Sequence, residues 1–521
     1  MKRKFALAVL FVMLLDICKG QNTFIELLGD SIFSLGEAYS VKLCTDGSFI
    51  TTGMVQLTGD NNFSLLLSRI NPSGKKIWNQ YYKGGTVWGQ SVTQTIDNGF
   101  IVGGLYSYSG WAKQYFLKTD SAGKIQWSKF YDQSGGGTDD NVKAIRQLAS
   151  DSGYIAVGSF DLNTGGLTRL DKNGNLLWSN YYSNVKSFSS LDETSDGGYI
   201  VVGTSSGFVT VIVKLSATGT VIWESTLPLP PIANYSATST PCQVLLTPGG
   251  YVVAGSVADS LYAGFLAKYD LAGTLQWMKL YEGDAIFITG ASKSTSNRFI
   301  LCGESYNFSL GEYESIILET DSLGKLNWSK AYQTVSQNSQ PSIVQTADSG
   351  FVEVGDTRNA NPVKYLPSIY KVNGVGNGIC SAKSTLIKVA DLTVPATTTT
   401  VTMHANTTTP LKNAGVTGVA FNQLTNPCIT TENMETAQRA LTATVFPNPS
   451  AGHLHFLIES NALSLGRTQI KIYDVLGNSM HESIVQLPQF NIDLSTQPKG
   501  IYFYKIASAG AGIVNGKIII E

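Results

Sequence analysis

The chain holds four histidines, His404, His453, His455 and His481. None lies in the first 400 residues, so that stretch has neither a Ser-His-Asp triad nor a His-ligated metal of its own. His453 and His455 share one face of a strand pattern and read as exposed strand residues. No Walker-type phosphate loop occurs, and the glycines at 135–137 sit in a loop without a strand-to-helix turn. Asp171-Lys172-Asn173-Gly174-Asn175 starts like a calcium loop. It lacks the glycine at position six and the glutamate at position twelve, so it reads as a turn. Two carboxylates at a suitable spacing could cleave a glycosidic bond, and the adjacent acids Asp139 and Asp140 are the candidate pair. Ordinary solvated loop acids are the competing reading. No metal and no cofactor is expected from these residues.

The 521 residues are 43% hydrophobic and 14% charged, with 52 Gly, 24 Tyr, 22 Phe and 8 Trp. That balance excludes a disordered chain or a coiled coil. A formal charge of −1 gives no basic field for nucleic acid. Lys2, Arg3 and Lys4 precede an apolar run from Phe5 to Leu15, and small residues at Cys18 and Gly20 mark cleavage before Gln21. Residues 1–20 read as a secretory signal peptide. No later run is long and apolar enough for a spanning helix, so the mature chain is not expected to be an integral membrane protein.

An aromatic residue followed four positions later by glycine recurs seven times, at Phe49/Gly53, Phe100/Gly104, Tyr154/Gly158, Tyr199/Gly203, Tyr251/Gly255, Phe299/Gly303 and Phe351/Gly355. The period is about 50 residues, within the range of propeller blades. A turn ending in glycine and then a tryptophan follows each of the first six. Asp120-Ser121-Ala122-Gly123-Lys124-Ile125-Gln126-Trp127 is one example. Trp78, Trp127, Trp178, Trp223, Trp277 and Trp328 read as packing between blades. Each unit has four short alternating runs, so residues 21–380 are expected to form a seven-bladed all-β propeller. The seventh unit lacks its tryptophan strand. Residues 23–29 align with the Trp277 strand and would close blade 7, removing an open sheet edge.

These repeats resemble the secreted seven-bladed propellers of bacterial surface proteins. The Asp-x-x-Gly-x-x-x-Trp element also looks like the docking motif of quinoprotein dehydrogenases. That eight-bladed class has cofactor ligands that do not map onto this chain.

Residues 381–440 change texture, with threonine runs at 397–400 and 407–409, and read as an extended linker or a few irregular strands. Cys380 and Cys428 flank it, and an oxidising export route would let them pair. Residues 441–521 carry about seven short strand patterns, as in a small Ig-like β-sandwich. Their motifs are Val445-Phe446-Pro447-Asn448-Pro449 with Gly452, then Ile472-Tyr473-Asp474-Val475-Leu476-Gly477. Asp493-Leu494-Ser495, Gly500-Ile501-Tyr502 and Gly516-Lys517-Ile518-Ile519-Ile520 follow. Together they resemble the type A C-terminal sorting domain of the Bacteroidetes type IX secretion system. The resemblance implies passage through the outer-membrane translocon, removal of the domain by a sortase, and release or attachment at the cell surface. The sorting signal then carries Pro447, Asn448, Pro449, Gly452, Asp474, Gly477, Gly500, Tyr502 and Lys517. The same resemblance implies O-glycosylation at Asp-Ser motifs, here Ser31, Ser121, Ser260 and Ser322.

The repeated turns fall on one face of such a ring. The other face collects loops that differ from blade to blade, with Trp88, Trp111, Tyr106 and Tyr108 in blade 2 and Tyr262, Tyr313 and Tyr365 in blades 5 to 7. Exposed aromatic rings offer flat apolar surface to sugars or protein side chains. The leading reading is a secreted or surface-anchored protein binding glycan or protein through that face. The alternatives are a carboxylate-dependent polysaccharide-degrading enzyme and a structural surface or matrix protein without a discrete site.

Overall fold

The computed structural model describes residues 23–521 except 29–32, 109–110, 134–139, 162, 228–237, 259–261, 309–311, 333–341, 361–362, 379–381, 385–386, 392–401, 407–410, 414–416, 421–440, 461–467, 476–477, 486–488 and 509–511. The signal peptide, Ser31, Ser260, Cys380, Cys428, Asp139 and Gly477 lie outside the described residues. The chain forms two units that divide between Cys428 and Ile429.

The described part of the first unit is all β. Each repeat is an antiparallel meander of four strands, because alternating apolar runs are separated by two- to six-residue turns. In blade 2 the strands are Thr86–Gln94, Phe100–Tyr108, Trp111–Thr119 and Ile125–Tyr131, from the inside outward. Seven such sheets are present among the described residues. Their apolar faces pack blade on blade, and the last packs on the first to complete a β-propeller.

One contact repeats at every interface. The glycine of each third-to-fourth turn lies against the outer-strand aromatic of the preceding blade: Gly123 on Trp78, Gly174 on Trp127, Gly273 on Trp223, Gly324 on Trp277 and Gly376 on Trp328. Four residues beyond the tryptophan, a tyrosine hydroxyl donates to the carbonyl of the same glycine. Tyr131 reaches Gly174 at 2.5 Å, Tyr281 reaches Gly324 at 2.6 Å and Tyr332 reaches Gly376 at 2.8 Å. Blade 4 has Leu227 instead of tyrosine, and there Trp223 Nε1 donates to Leu271 O at 3.1 Å.

The seventh blade takes its outer strand from the N-terminus. Phe24–Leu27 pairs with the third strand Val363–Val372, with Phe24 opposite Lys371. Trp127 stands opposite Lys118 and Trp277 opposite Lys268 in the same way, and Phe24 lies on Gly74 of blade 1. Phe24 therefore fills the tryptophan position.

In five blades the basic residue opposite the outer-strand aromatic reaches back to an aspartate of the first-to-second turn. Arg69–Asp46, Lys118–Asp97, Arg169–Asp151, Lys214–Asp196 and Lys371–Asp348 are the resulting ion pairs. Blade 6 inverts the polarity, with Arg298 in the turn and Glu319 on the strand at 2.7 Å. Glu319 then also accepts Trp328 Nε1–H at 2.6 Å. The pair is kept there with its signs exchanged, whereas the blade 5 turn has no acid and Lys268 donates to Thr247 Oγ1 instead.

The segment after the propeller does more than link. Ala382–Ser384 adds a fifth strand to blade 6, Lys388–Asp391 to blade 5, Thr402–Asn406 to blade 3, Leu411–Asn413 to blade 2 and Thr417–Ala420 to blade 1. The chain thus runs backwards around the rim. Each piece is three to five residues long and covers outer backbone groups that would otherwise be an open edge.

The second unit stacks a three-stranded sheet on a four-stranded one. Leu454, Phe456, Ile472, Tyr504 and Ile518 belong to the core between them.

Two predictions test this packing. Gly174 and Gly197 both have left-handed backbone, at φ 76° and 75°. A Cβ at Gly197 would meet nothing within 4 Å, whereas one at Gly174 would stand 2.7 Å from the Trp127 ring. Gly197→Ala should cost about 1 kcal/mol of backbone strain, and Gly174→Ala about 1–3 kcal/mol more from overpacking. Denaturant unfolding of both variants measures the difference.

Glu353 is buried in blade 7, where its carboxyl accepts Ser315 Oγ–H at 3.2 Å. Burial pushes it up to about 8, against the hydrogen bonds from Tyr370 and Ser315 that favour the ion. Between its unfolded value and that folded value the native state holds a proton that the unfolded state has lost. Stability attributable to this group therefore falls as pH rises through that window. Glu353→Gln should raise the melting temperature, with a gain that grows from about pH 5 to pH 8.

Candidate functional site

The inner strands of the seven sheets enclose a central channel of about 670 Å³. Side chains reach it through a shared irregularity. Six inner strands carry a β-bulge at the same level, between Ala38 and Ser40, Gly89 and Ser91, Val142 and Ala144, Phe188 and Ser190, Pro241 and Gln243, and Ile288 and Gly290. A bulge leaves one residue unpaired and re-aims its side chain. The unpaired residues are Tyr39, Gln90, Lys143, Ser189, Cys242 and Thr289, and all six line the channel. A repeated backbone device thus presents six chemically different side chains in one annulus. Neighbouring serines fix it: Val92 N donates to Ser40 Oγ, Ile145 N to Ser91 Oγ and Val244 N to Ser190 Oγ.

The wall is polar and cationic. Lys42, Lys143, Arg146 and Lys186 line it, and no aspartate or glutamate is among the described lining residues. Arg146 is paired with Asp192 at 3.2 Å just behind the wall. Burial pushes Lys42 down to about 8, Arg146 adds repulsion, and Asp192 opposes both. Burial alone lowers Lys143. Burial raises Asp192 against the attraction of Arg146, Lys42 and Lys293. Two polar atoms of the annulus, Gln90 Oε1 and Thr289 Oγ1, are buried without a hydrogen-bond partner among the described residues.

The channel opens on the variable-loop face beside three aromatic rings. Tyr262, 43% exposed, packs against Phe287 with ring centroids 4.2 Å apart. Phe208, 49% exposed in the turn after Tyr199–Ser205, carries the Lys186 ammonium 4.5 Å from its ring centroid. Tyr262, Phe208, Phe287 and Lys186 all line the channel.

Trp88, Tyr106, Trp111, Tyr313 and Tyr365, also singled out from the sequence, do not converge there, and the Tyr108 side chain lies outside the described residues. Trp88 meets Phe63 of blade 1 edge-on at 5.9 Å and packs between blades. Tyr106 is buried, stacked on Phe130 and Tyr115, because its position in the second strand faces the blade-1 interface. Trp111 is 47% exposed and starts the third strand opposite Tyr108, away from the channel lining. Tyr313 joins Tyr306 and the exposed Phe308 in a separate cluster on blade 6. Tyr365 is half-buried opposite Arg358.

Asp140 is not a solvated loop acid. It is buried, and its carboxylate accepts Gln133 N–H at 2.6 Å and Asp161 N–H at 3.1 Å, tying the end of blade 2 to the second-to-third turn of blade 3. Cys44, Cys242 and Cys302 are free thiols. Ser121 and Ser322 are exposed in third-to-fourth turns. Phe208 was missed by the sequence reading, although an aromatic in a second-to-third turn was a legible signal. Lys143 had none, since a bulge leaves no mark in an alternating pattern.

In the sandwich, the motif residues tie the first strand to the last. Asn448 Nδ2 donates to Lys517 O and Ile519 N donates to Asn448 Oδ1, each at 2.8 Å. Asp474 closes a turn on Asn478 at 2.9 Å. The Tyr502 hydroxyl donates to Pro498 O at 2.6 Å. Gly452 has φ 102°, and a Cβ there would meet the Ser495 backbone. Pro447 and Pro449 follow cis peptide bonds.

Comparison with curated proteins gives no match. A family model described as secretion system C-terminal sorting domain matches residues 444–521, and one described as outer membrane protein assembly factor BamB matches residues 66–289. Among solved structures, a protein of unknown function from Bacteroides caccae is 14% identical, with 53% of this chain and 92% of that one covered and a TM-score of 0.36. PorZ, a surface component of the type IX secretion system of Porphyromonas gingivalis, is 9% identical over 92% of this chain and 74% of its own, with a TM-score of 0.34. A periplasmic gluconolactonase of Pseudomonas aeruginosa is 12% identical over 69% and 88%, with a TM-score of 0.35. Residues 444–521 are a type IX secretion C-terminal sorting domain, which engages the secretion machinery. The chain is accordingly a secreted or cell-surface protein built on a β-propeller. No helix among its described residues is long and apolar enough to cross a membrane.

Proposed function

We propose that this protein is a glycan-binding protein exported to the cell surface or beyond, with its ligand seated at the channel mouth on the variable-loop face. The observation that carries this reading is the arc of Phe208, Tyr262 and Phe287 on adjacent blades, edging a polar channel of about 670 Å³. Aromatic faces stack on the apolar face of a sugar ring, and hydroxyl and amide groups below them bond its rim. The arc replaces the blade-2 cluster of Trp88, Trp111, Tyr106 and Tyr108 as the leading site. A protein ligand at the same face is the second reading, favoured by the exposed Phe308 cluster on blade 6. The acid pair no longer favours an enzyme, because Asp140 is engaged with backbone amides.

Glycan-array binding of the mature chain tests the reading. Tyr262→Ala and Phe208→Ala should each weaken binding about tenfold or more while leaving the melting temperature within a few degrees. Trp111→Ala should leave binding unchanged. Loss with Trp111→Ala alone would move the site to blade 2, and no glycan binding at all would overturn the reading.

A further inference from the structure

The cations of the channel are spaced along its axis. Lys186 is the second residue of its inner strand, Val185–Glu193, at the variable-loop mouth. Lys143 occupies the bulge level, midway along. Lys42 and Arg146 are each the last residue but one of their strands, near the turn face. Arg146 is the only one of the four with a described carboxylate in ion-pair contact. Lys186 has an aromatic ring for company, Lys42 is attracted by Asp192, and Lys143 has no hydrogen-bond or ion-pair partner among the described residues.

Acids do stand behind the wall. Asp192 is held by Arg146, and Glu37 accepts the Tyr39 hydroxyl at 2.8 Å. Neither closes on Lys143. An unpaired ammonium in a confined cavity is costly, because the protein returns little of the hydration it removes. The partnerless Gln90 Oε1 and Thr289 Oγ1 lie in the same annulus and leave an acceptor and a hydroxyl unused beside the Lys143 level. A chain of formal charge −1 thus concentrates positive charge in its polar channel. An entering anion would satisfy the cation.

We propose that the channel is an anion site selecting acidic oligosaccharides, in which Lys143 at the bulge annulus and Lys186 at the mouth bind the carboxylate or sulfate groups of a sugar chain. The inference rests on the glycan reading above and adds the ligand's charge class. The Phe208 ring holds the Lys186 ammonium by cation–π attraction, so that cation is positioned before the ligand arrives. The Lys143 side chain is aimed by its bulge, not by a partner. Lys42 and Arg146 deepen the positive potential beyond it.

Calorimetric titration of the mature chain with four probes tests the proposal: an oligogalacturonate, a sulfated oligosaccharide, a neutral gluco-oligosaccharide and inorganic phosphate. The acidic sugars should bind about tenfold or more tighter than the neutral one, in a salt-dependent way. Lys143→Met should remove that preference, Lys143→Arg should retain most of it, and unfolding curves should show both variants folded. Equal binding of neutral and acidic sugars, untouched by Lys143→Met, would overturn the anion site and leave the glycan reading standing. Binding of phosphate that vanishes in Lys143→Met, without any sugar binding, would keep the anion chemistry but overturn its assignment to a sugar. Binding of none of the four would overturn both.

Discussion

The structure depends on an aromatic ring laid across a glycine turn of the next blade. A four-stranded sheet cannot bury both faces alone, so a blade is stable only between two neighbours. The tryptophan supplies apolar area to that neighbour, and the tyrosine hydroxyl satisfies a turn carbonyl that would otherwise be stranded in the interface. Glycine is required because the ring occupies the space of its Cβ. The arrangement closes only if every blade offers a ring, which explains why the N-terminal strand matters. Phe24 gives blade 7 the aromatic that its own repeat lacks. Blade 4 shows the tolerance of the device, since Leu227 keeps the apolar part and the indole N–H of Trp223 makes the polar bond.

Closure creates the channel, and the channel creates the candidate site. The outer parts of the blades are nearly interchangeable, while the bulged inner residues range from Tyr39 to Lys143 to Cys242. Architecture and recognition are thus separated along each blade. The rim strands of residues 382–420 act on the outer side, where they cover sheet edges by backbone pairing. They are added to blades 6, 5, 3, 2 and 1 in chain order, opposite to the order in which the blades follow one another.

Those features differ in how far a sequence exposes them. The blades were readable because the aromatic, the glycine and the tryptophan must recur at fixed spacing to make the same contact each time. The sorting domain was readable because Asn448, Gly452 and Tyr502 each answer a backbone requirement that few other residues meet. The rim strands were not, since pieces of three to five residues pair through backbone alone and show no side-chain period. The site was legible only in part. Tyr262 was visible as a loop aromatic, but Lys143 lies in a strand where alternation gives no hint that a bulge turns it into the channel, and Phe287 lies in a strand that the repeat pattern does not single out. Trp88 and Tyr106 misled because they lie within strands rather than loops, with their rings turned into the packing between blades. Asp140 sits in a polar stretch that reads as solvent-facing, and only the fold brings the Gln133 and Asp161 amides onto its carboxylate.

Ring closure by the N-terminal strand is the claim on which the channel and its ligand site rest, and amide hydrogen exchange on the mature chain tests it directly. The account predicts that the amides of Phe24–Leu27 exchange as slowly as those of Val221–Thr226, the outer strand of blade 4, which likewise has no fifth strand beside it among the described residues. Fast exchange at Phe24–Leu27, accompanied by fast exchange along Val363–Val372, would show an open ring and contradict it.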